Sequence, residues 1–347
     1  MLSVGERDKM KRVIVTGGSG YIGSVLSGLL VEAGYEVRVL DRFFFGDTIP
    51  DNPKIEKIRI DSRSLSINLL EGAYAVLDLA AISNDPAGEL DPVKTLDINY
   101  RARRRLQELA SDAKVERYIL ASSCSVYGFQ EGVLDETSPT NPLTTYAEAN
   151  IRAEESALEL LQKGTDMGVT LFRQATMYGL SPRMRFDLAI NGMTLGLWEN
   201  GTIPMLRDGK QWRPMIHIRD TSKAFIAALD ADKDKINGER FNVGSNEQNY
   251  QIMQCGELVA KGLGKPFEYT WYGEPDHRSY QVNFDKIKKV LGFFPDWTAD
   301  KGAAEIAEAL ESGAVKPNEV TKTVSWYSSL LEWEKRIKDI APDGYIL

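Results

Sequence analysis

Apolar residues in the first half of the chain come in short unbroken runs, separated by stretches of helical period. RVIVT (12–16), EVRVLD (36–41), KIEKIRI (54–60), AYAVLDLA (73–80), RYILASS (117–123) and VTLFRQA (169–175) read as strands. Runs rich in Val, Ile and Leu without strict alternation mark strands buried on both faces. Helical spacing covers residues 21–33, closed by Gly34, and the stretches near 93–112 and 143–162. A glycine just past a helical run is the usual stop, because it accepts the left-handed backbone. Strand and helix in alternation predict an α/β protein with a doubly wound parallel sheet. Beyond Tyr178 the pattern breaks up. Short strands at 203–206, 214–218, 240–243 and 267–271 mix with helices near 184–199, 220–231, 250–263, 301–312 and 321–338. Three regions are expected. They are an N-terminal extension over 1–10, a first domain over 11–180, and a smaller C-terminal α+β lobe over 181–347 with some segments returning to the first domain.

Charge removes several functions. The 347 residues carry 42 Lys and Arg against 50 Asp and Glu, a net charge of -8. Binding a nucleic-acid backbone needs a dense basic surface, so none is expected as partner. The cluster Arg101, Arg103, Arg104 and Arg105 reads as the solvated face of a helix. Cys124 and Cys255 stand far apart with no CxxC partner, which argues against a disulfide framework or zinc site and fits a reducing cytoplasm. Residues 1–12 are polar with no apolar core of a signal peptide, and no apolar run approaches a membrane span. The two histidines give no metal site. His217 reads as a structural strand residue and His277 as exposed.

The sequence VTGGSGYIGS (15–24) lies between a strand and a helix. Its spacing is Gly17-x-x-Gly20-x-x-Gly23. A pyrophosphate needs backbone N–H groups close by and the positive end of a helix behind them, and glycine permits both the turn and the approach. Asp41 ends the second strand 18 residues after Gly23. A carboxylate there accepts hydrogen bonds from the adenosine ribose and repels a 2′-phosphate, which favours NAD over NADP. Arg42 beside it keeps NADP open. The first domain is therefore read as an NAD-binding Rossmann domain and the C-terminal lobe as substrate-binding.

From about Lys11 to about Gly313 the chain resembles the extended short-chain dehydrogenase/reductases, in particular the NAD-dependent epimerase/dehydratase group that includes UDP-galactose 4-epimerase. The resemblance rests on ordered motifs: TGGSGYIG (16–23), LAA (79–81), INY (98–100), SSCSVYG (122–128), YAEAN (146–150), FRQATMYG (172–179), WRPMIHIRD (212–220) and PDHRSY (275–280). It implies that Gly17, Ser19, Gly20, Tyr21, Ile22 and Gly23 line the pyrophosphate, and that Asp41 and Arg42 meet the adenosine ribose. Asp61 and Ser62 take the adenine contact. Leu79, Ala80 and Ala81 pass along the cofactor, and Asn99 and Ser122 approach its nicotinamide half. Ser123 is the hydroxyl that touches the sugar and Tyr146 the proton-exchanging tyrosine, with Asn150 beside it. Arg213 and Arg278 match diphosphate-binding arginines, and Ser83, Thr176, Arg185 and Asn191 complete the substrate side. Taken alone, Arg213 reads more often as a surface charge, although its place within WRPMIHIRD favours the functional reading; Arg278 reads equally as either, and Asn99 as the holder of a backbone turn. A homodimer built on helices near 93–112 and 143–162 is implied, although their apolar faces could equally be covered within one chain.

Three departures shape the expected chemistry. The family normally places a lysine four residues after the tyrosine, one helical turn away, where its charge favours phenolate. Position 150 is asparagine. Tyr146 is therefore expected to keep a higher pKa than is usual, and oxidation to be slow at neutral pH. Cys124 and Ser125 stand where hexose dehydratases of the family carry Asp-Glu, which disfavours that dehydration. Thr176 replaces an asparagine common in the family and leaves the polarity of the substrate pocket open. The expected activity is an NAD-dependent epimerase working on a nucleotide-diphosphate sugar through a transient keto sugar. A dehydrogenase or reductase on the same kind of substrate is the alternative. A catalytically weakened NAD-binding sensor or scaffold is another, supported by Asn150.

Overall fold

The computed structural model describes residues 10–274, 276 and 278–341. The expected extension, except for Met10, lies outside the described residues, as does His277. Seven strands make one sheet: β1 (Arg12–Thr16), β2 (Glu36–Asp41), β3 (Ile55–Arg59), β4 (Ala75–Asp78), β5 (Arg117–Ser123), β6 (Gly168–Gln174) and β7 (Glu239–Val243). Their spatial order is 7-6-5-4-1-2-3, and every neighbouring pair is parallel. Every residue of β4 and β6 is buried, the condition their continuous apolar runs require. Strand order reverses between β1 and β4. Loops leaving those two strands diverge there and open a crevice at their carboxyl ends.

Helices Tyr21–Glu32 and Ile218–Asp230 pack on one face of the sheet through Leu26, Leu30, Phe225 and Leu229. Helices Arg103–Asp112 and Thr145–Gln162 cover the other face through Leu106, Ala110, Ala153 and Ala157. Their apolar faces are thus covered within the chain. Arg104, Arg105, Glu108, Arg152 and Glu155 are what they present outward. Among the described residues no helix is long and apolar enough to cross a membrane.

The structure revises several expected elements. The strand expected at 240–243 belongs to the main sheet as β7, because its Phe241 packs into the core beneath Phe172. The single helix expected near 93–112 is three pieces: Pro92–Leu96, a wide π turn at Asp97–Ala102, and Arg103–Asp112. Outside the main sheet, Thr176–Tyr178, Asn249–Gln251, Phe129–Leu134 and Ser279–Val282 are strands that the apolar pattern did not mark, whereas Trp212–His217 matches the strand expected at 214–218. Thr176–Tyr178, Trp212–His217 and Asn249–Gln251 form a three-stranded sheet, and Phe129–Leu134 pairs with Ser279–Val282. His217 ends its strand fully buried, stacked on Trp297 at 4.1 Å and 3.0 Å from Glu305 Oε2.

One buried ion pair ties the helix layer to the sheet beside the crevice. Glu154 on helix Thr145–Gln162 accepts from Arg173 Nη2 on β6 at 2.7 Å and from Ser122 Oγ on β5 at 2.6 Å. Both partners of the pair are almost fully buried. Removing one member leaves the other charge stranded in the core. Glu154→Ala is expected to destabilise the fold by about 3–5 kcal/mol, read as a lower midpoint in denaturant unfolding.

Candidate active site

The crevice holds a cleft of about 1140 Å³, lined from the glycine turn at one end to Arg213 and Arg278 at the other. Its floor is set by backbone approach. Gly17 has φ +67, and a Cβ there would lie 2.8 Å from Ala80 Cα. At Gly23 a Cβ would lie 2.4 Å from Gly18 Cα, so the first turn of helix Tyr21–Glu32 can sit on the loop only without a side chain. That leaves a positive helix end and free backbone N–H groups facing the cleft, a cradle for an anion. Tyr21, Ile22, Leu79, Ala80 and Ala81 line it.

Ser19 departs from its expected place. Its side chain is buried and turned away from the cleft, donating to Gly46 O at 2.9 Å, while its N–H donates to Asp41 Oδ2 at 2.9 Å. Asp41 also accepts from Phe43 N at 2.6 Å, and burial pushes its carboxyl above the usual range. Asp61 caps the turn after β3 and is paired with both Arg63 and Arg42 at 2.7 Å. Its hydrogen bonds from Arg63 hold it down at about 2. Arg42 is spent on Asp61 and lies over the Phe44 ring at 4.3 Å. Ser62 lines the same end of the cleft.

Ser122, Ser123 and Tyr146 stand together on the opposite wall. Ser123 ends β5, and its Oγ lies 2.8 Å from Ser125 Oγ. Tyr146 sits in the first turn of its helix, whose start is capped by Thr144. Burial raises the phenol above its ordinary value, and the charge of Asp85 adds to that; Arg103, Ser123 and Asn150 act in the opposite direction. Burial is thus the first cause of the raised value, and Asn150 is among the groups that lower it. Cys124 is fully buried with its thiol pushed up, so it offers no acid or base to the cleft.

Two predicted residues stand behind this wall. Asn99 is fully buried and uses its amide on Ile82, accepting from its N–H at 2.8 Å and donating to its carbonyl at 2.9 Å. Asn150 is also buried. It accepts from Arg103 Nη1 at 3.0 Å and donates to Tyr146 O at 3.2 Å. Arg103 itself overturns the reading of the basic cluster as one solvated face. Arg101, Arg104 and Arg105 are exposed, but Arg103 is 3% exposed and lines the cleft.

At the far end, Arg213 pairs with Asp276 at 2.8 Å and also donates to Arg278 O. Arg278 bridges Asp276 and Asp85, so it joins the C-terminal lobe to the turn beneath Tyr146. Thr176 also lines the cleft. Arg185 bonds Asp187 at 2.7 Å and Ser83 Oγ at 3.0 Å, and all three line the cleft. Asn191 does not reach it. Fully buried, it donates to Tyr21 OH and Arg185 O and accepts from Gly179 N.

Two parts of the cleft were not expected from sequence. Helix Thr323–Ile340 lies across it, with Trp326 Nε1 donating to Phe44 O at 2.9 Å and Glu334 3.3 Å from Lys94. Arg183, 4% exposed, stacks on Phe45 at 3.7 Å and donates through Nη2 to Thr323 Oγ1. Among the described residues its Nε and Nη1 have no partner, and burial lowers its pKa to about 9. An orphaned buried guanidinium in the same cleft as the glycine cradle is what a bound pyrophosphate would satisfy. The residues present therefore fit a dinucleotide.

A doubly wound sheet with this cradle at its switch point defines a dinucleotide-binding enzyme fold. The chain belongs to the NAD dependent epimerase/dehydratase family, whose model matches residues 13–244. That span includes all of the seven-stranded sheet except Arg12. The chain is an NAD-binding extended short-chain dehydrogenase/reductase. It is 27% identical to the UDP-N-acetyl-alpha-D-glucosaminuronate decarboxylase of Bacillus cytotoxicus over 85% of this chain and 96% of that one. It is also 27% identical to the UDP-glucose 4-epimerase of Lactobacillus helveticus over 82% of this chain and 92% of that one. The solved structure of MoeE5 in complex with UDP-glucuronic acid and NAD superposes with a TM-score of 0.79. There the identity is 27%, over 87% of this chain and 99% of that one.

The glycine cradle yields a prediction. Gly17→Ala would push a methyl group into the Ala80 backbone at an unfavourable φ. Strain of about 1–3 kcal/mol is expected, weakening NAD binding about 5- to 150-fold, as read by calorimetric titration of the purified variant.

Proposed function

We propose that the chain is an epimerase of a nucleotide-diphosphate sugar, working through a keto sugar that stays bound. The observation that carries this reading is the placement of Ser123 and Tyr146 on one wall of a continuous cleft. The dinucleotide cradle lies at one end of that cleft and paired arginines at the other. NAD, when bound, supplies a hydride acceptor and donor at the nicotinamide ring. Tyr146 takes the proton of a secondary alcohol as its C–H bond is oxidised and returns it on reduction. Ser123 holds the reacting hydroxyl toward that phenol. Arg213 and Arg278 grip the diphosphate, and that remote binding energy holds the sugar in line for reaction. Reduction on the opposite face of the keto sugar inverts one carbon with no net change in cofactor.

The relatives' decarboxylase and epimerase activities support the substrate class, a UDP-sugar. The buried thiol of Cys124, in a position where family dehydratases carry an acid, speaks for epimerisation over dehydration. A dehydrogenase reading requires the oxidised sugar to leave, with lasting growth of reduced-cofactor absorbance. Incubation with a panel of UDP-hexoses and UDP-hexuronic acids is expected to interconvert one pair of epimers without that growth. Sustained accumulation of reduced cofactor would sink the epimerase reading, and silence with every sugar would favour the scaffold. Tyr146→Phe is expected to lower turnover about 10²–10⁴-fold, the usual share of a general acid–base group, while NAD stays bound.

A further inference from the structure

The tyrosine lacks the lysine that normally sits one turn away, yet its wall of the cleft is not without a cation. Arg103 enters it from the neighbouring helix, on the inward stripe formed with Asn99, Leu106 and Ala110. A guanidinium with 3% of its surface exposed is costly to place without partners. Its Nη1 donates to Asn150 Oδ1 at 3.0 Å and its Nε to Ala80 O at 3.2 Å, with Asp78 Oδ2 3.6 Å from Nε. Asp78 is fully buried on β4 and also accepts from Thr16 Oγ1 at 2.8 Å and Tyr118 OH at 2.5 Å. Among the described residues Nη2 of Arg103 bonds nothing, although the residue lines the cleft between Ala80 and Tyr146. Asn150 bonds both the guanidinium and the backbone of Tyr146, so it bridges the two.

We propose that Arg103 supplies, from the adjacent helix, the positive charge that position 150 lacks, and that Asn150 is the acceptor that fixes its guanidinium beside Tyr146. A lysine at 150 would meet a second cation already in place, whereas asparagine presents the carbonyl oxygen a guanidinium needs. As a planar guanidinium, Arg103 offers a rigid fork of donors over which its positive charge is spread. It acts on Tyr146 through the field and not by proton exchange, as a positioning and tuning residue. The other groups that face this pair are few. Asp85 opposes ionisation of the phenol and is itself paired with Arg278. Asp78 partly neutralises Arg103, and the Tyr118 hydroxyl stays protonated against Asp78. Ser123 and Asn150 favour the phenolate. Arg103 is the charge that favours the phenolate, so removing it leaves burial and Asp85 to raise the Tyr146 pKa further.

This inference rests on Tyr146 as the proton-exchanging group, but its test does not need turnover. The ultraviolet tyrosinate titration of NAD-loaded protein, minus that of its Tyr146→Phe counterpart, isolates one phenol. Arg103→Gln is expected to raise that midpoint by about one pH unit or more, the scale of an adjacent opposite charge. Arg103→Lys should keep it near the starting value, and Arg103→Gln combined with Asn150→Lys should bring it back down. If Arg103→Gln does not fold because Asp78 is left bare, Asp78→Asn with Arg103→Gln carries the same expectation. With an epimerised sugar, the rising limb of the pH–rate profile should move alkaline by the same amount. An unchanged midpoint after loss of Arg103, or no recovery from the lysine at 150, overturns the proposal. Should no UDP-sugar react while the midpoint still moves, the proposed activity fails and the charge relationship stands.

Discussion

Everything at the active cleft depends on backbone packing against backbone at the carboxyl end of β1. Gly17 lets the chain turn beneath the loop that leaves β4, with no room for a methyl group between them. Gly23 then lets the following helix settle on Gly18. Because β1 and β4 are neighbours at the point where strand order reverses, these contacts fix the width of the crevice. A wider approach would separate the anion cradle from the wall that carries Ser123 and Tyr146. The site is therefore a consequence of sheet topology first and of side-chain chemistry second.

Behind that crevice lies an unusual amount of buried charge, and it has an order. Glu154, Arg173 and Ser122 form one network that ties helix to sheet. Asp78, Arg103, Asn150, Thr16 and Tyr118 form another, nearer the cleft. Each costs desolvation, which is recovered only while every member is paired. The two networks share helix Thr145–Gln162, which carries Tyr146, Asn150 and Glu154 on one side. A helix pinned at several polar points cannot rotate without stranding a charge, so the phenol is aimed by the cost of moving its neighbours.

Much of this is legible in the amino-acid sequence alone. Buried parallel strands announce themselves as apolar runs, and the glycine turn is readable because only glycine satisfies its two close approaches. Strand Phe129–Leu134 escaped notice because it is mostly solvent-facing and interrupted by Gly132, so no alternation survives. Thr176–Tyr178 is too short to carry a period. Among site residues, Ser19, Asn99, Asn150 and Asn191 were expected at the ligand but are spent on holding the loops and neighbours that face it. Sequence marks a polar residue near a site; it does not tell whether the side chain turns toward ligand or toward backbone. Arg183 and helix Thr323–Ile340 arrive from far along the chain, and their place is set by tertiary contacts such as Trp326 to the Phe44 carbonyl.

Arg103 and Asn150 show that a departure from a motif along the chain can be matched by a contact elsewhere in the fold. Read along the chain, Asn150 is a deficit and Arg103 one of four surface cations. Folded, the two are hydrogen-bonded partners across a helix pair. The signal was present in the period: positions 99, 103, 106 and 110 share one stripe, and the other three are buried or apolar. A charged residue on such a stripe must either disrupt the core or serve a buried partner. Electrostatic influence on a phenol depends on distance and dielectric, not on which helix bears the charge. A site that requires a nearby cation constrains a volume of space, and more than one backbone position can fill it.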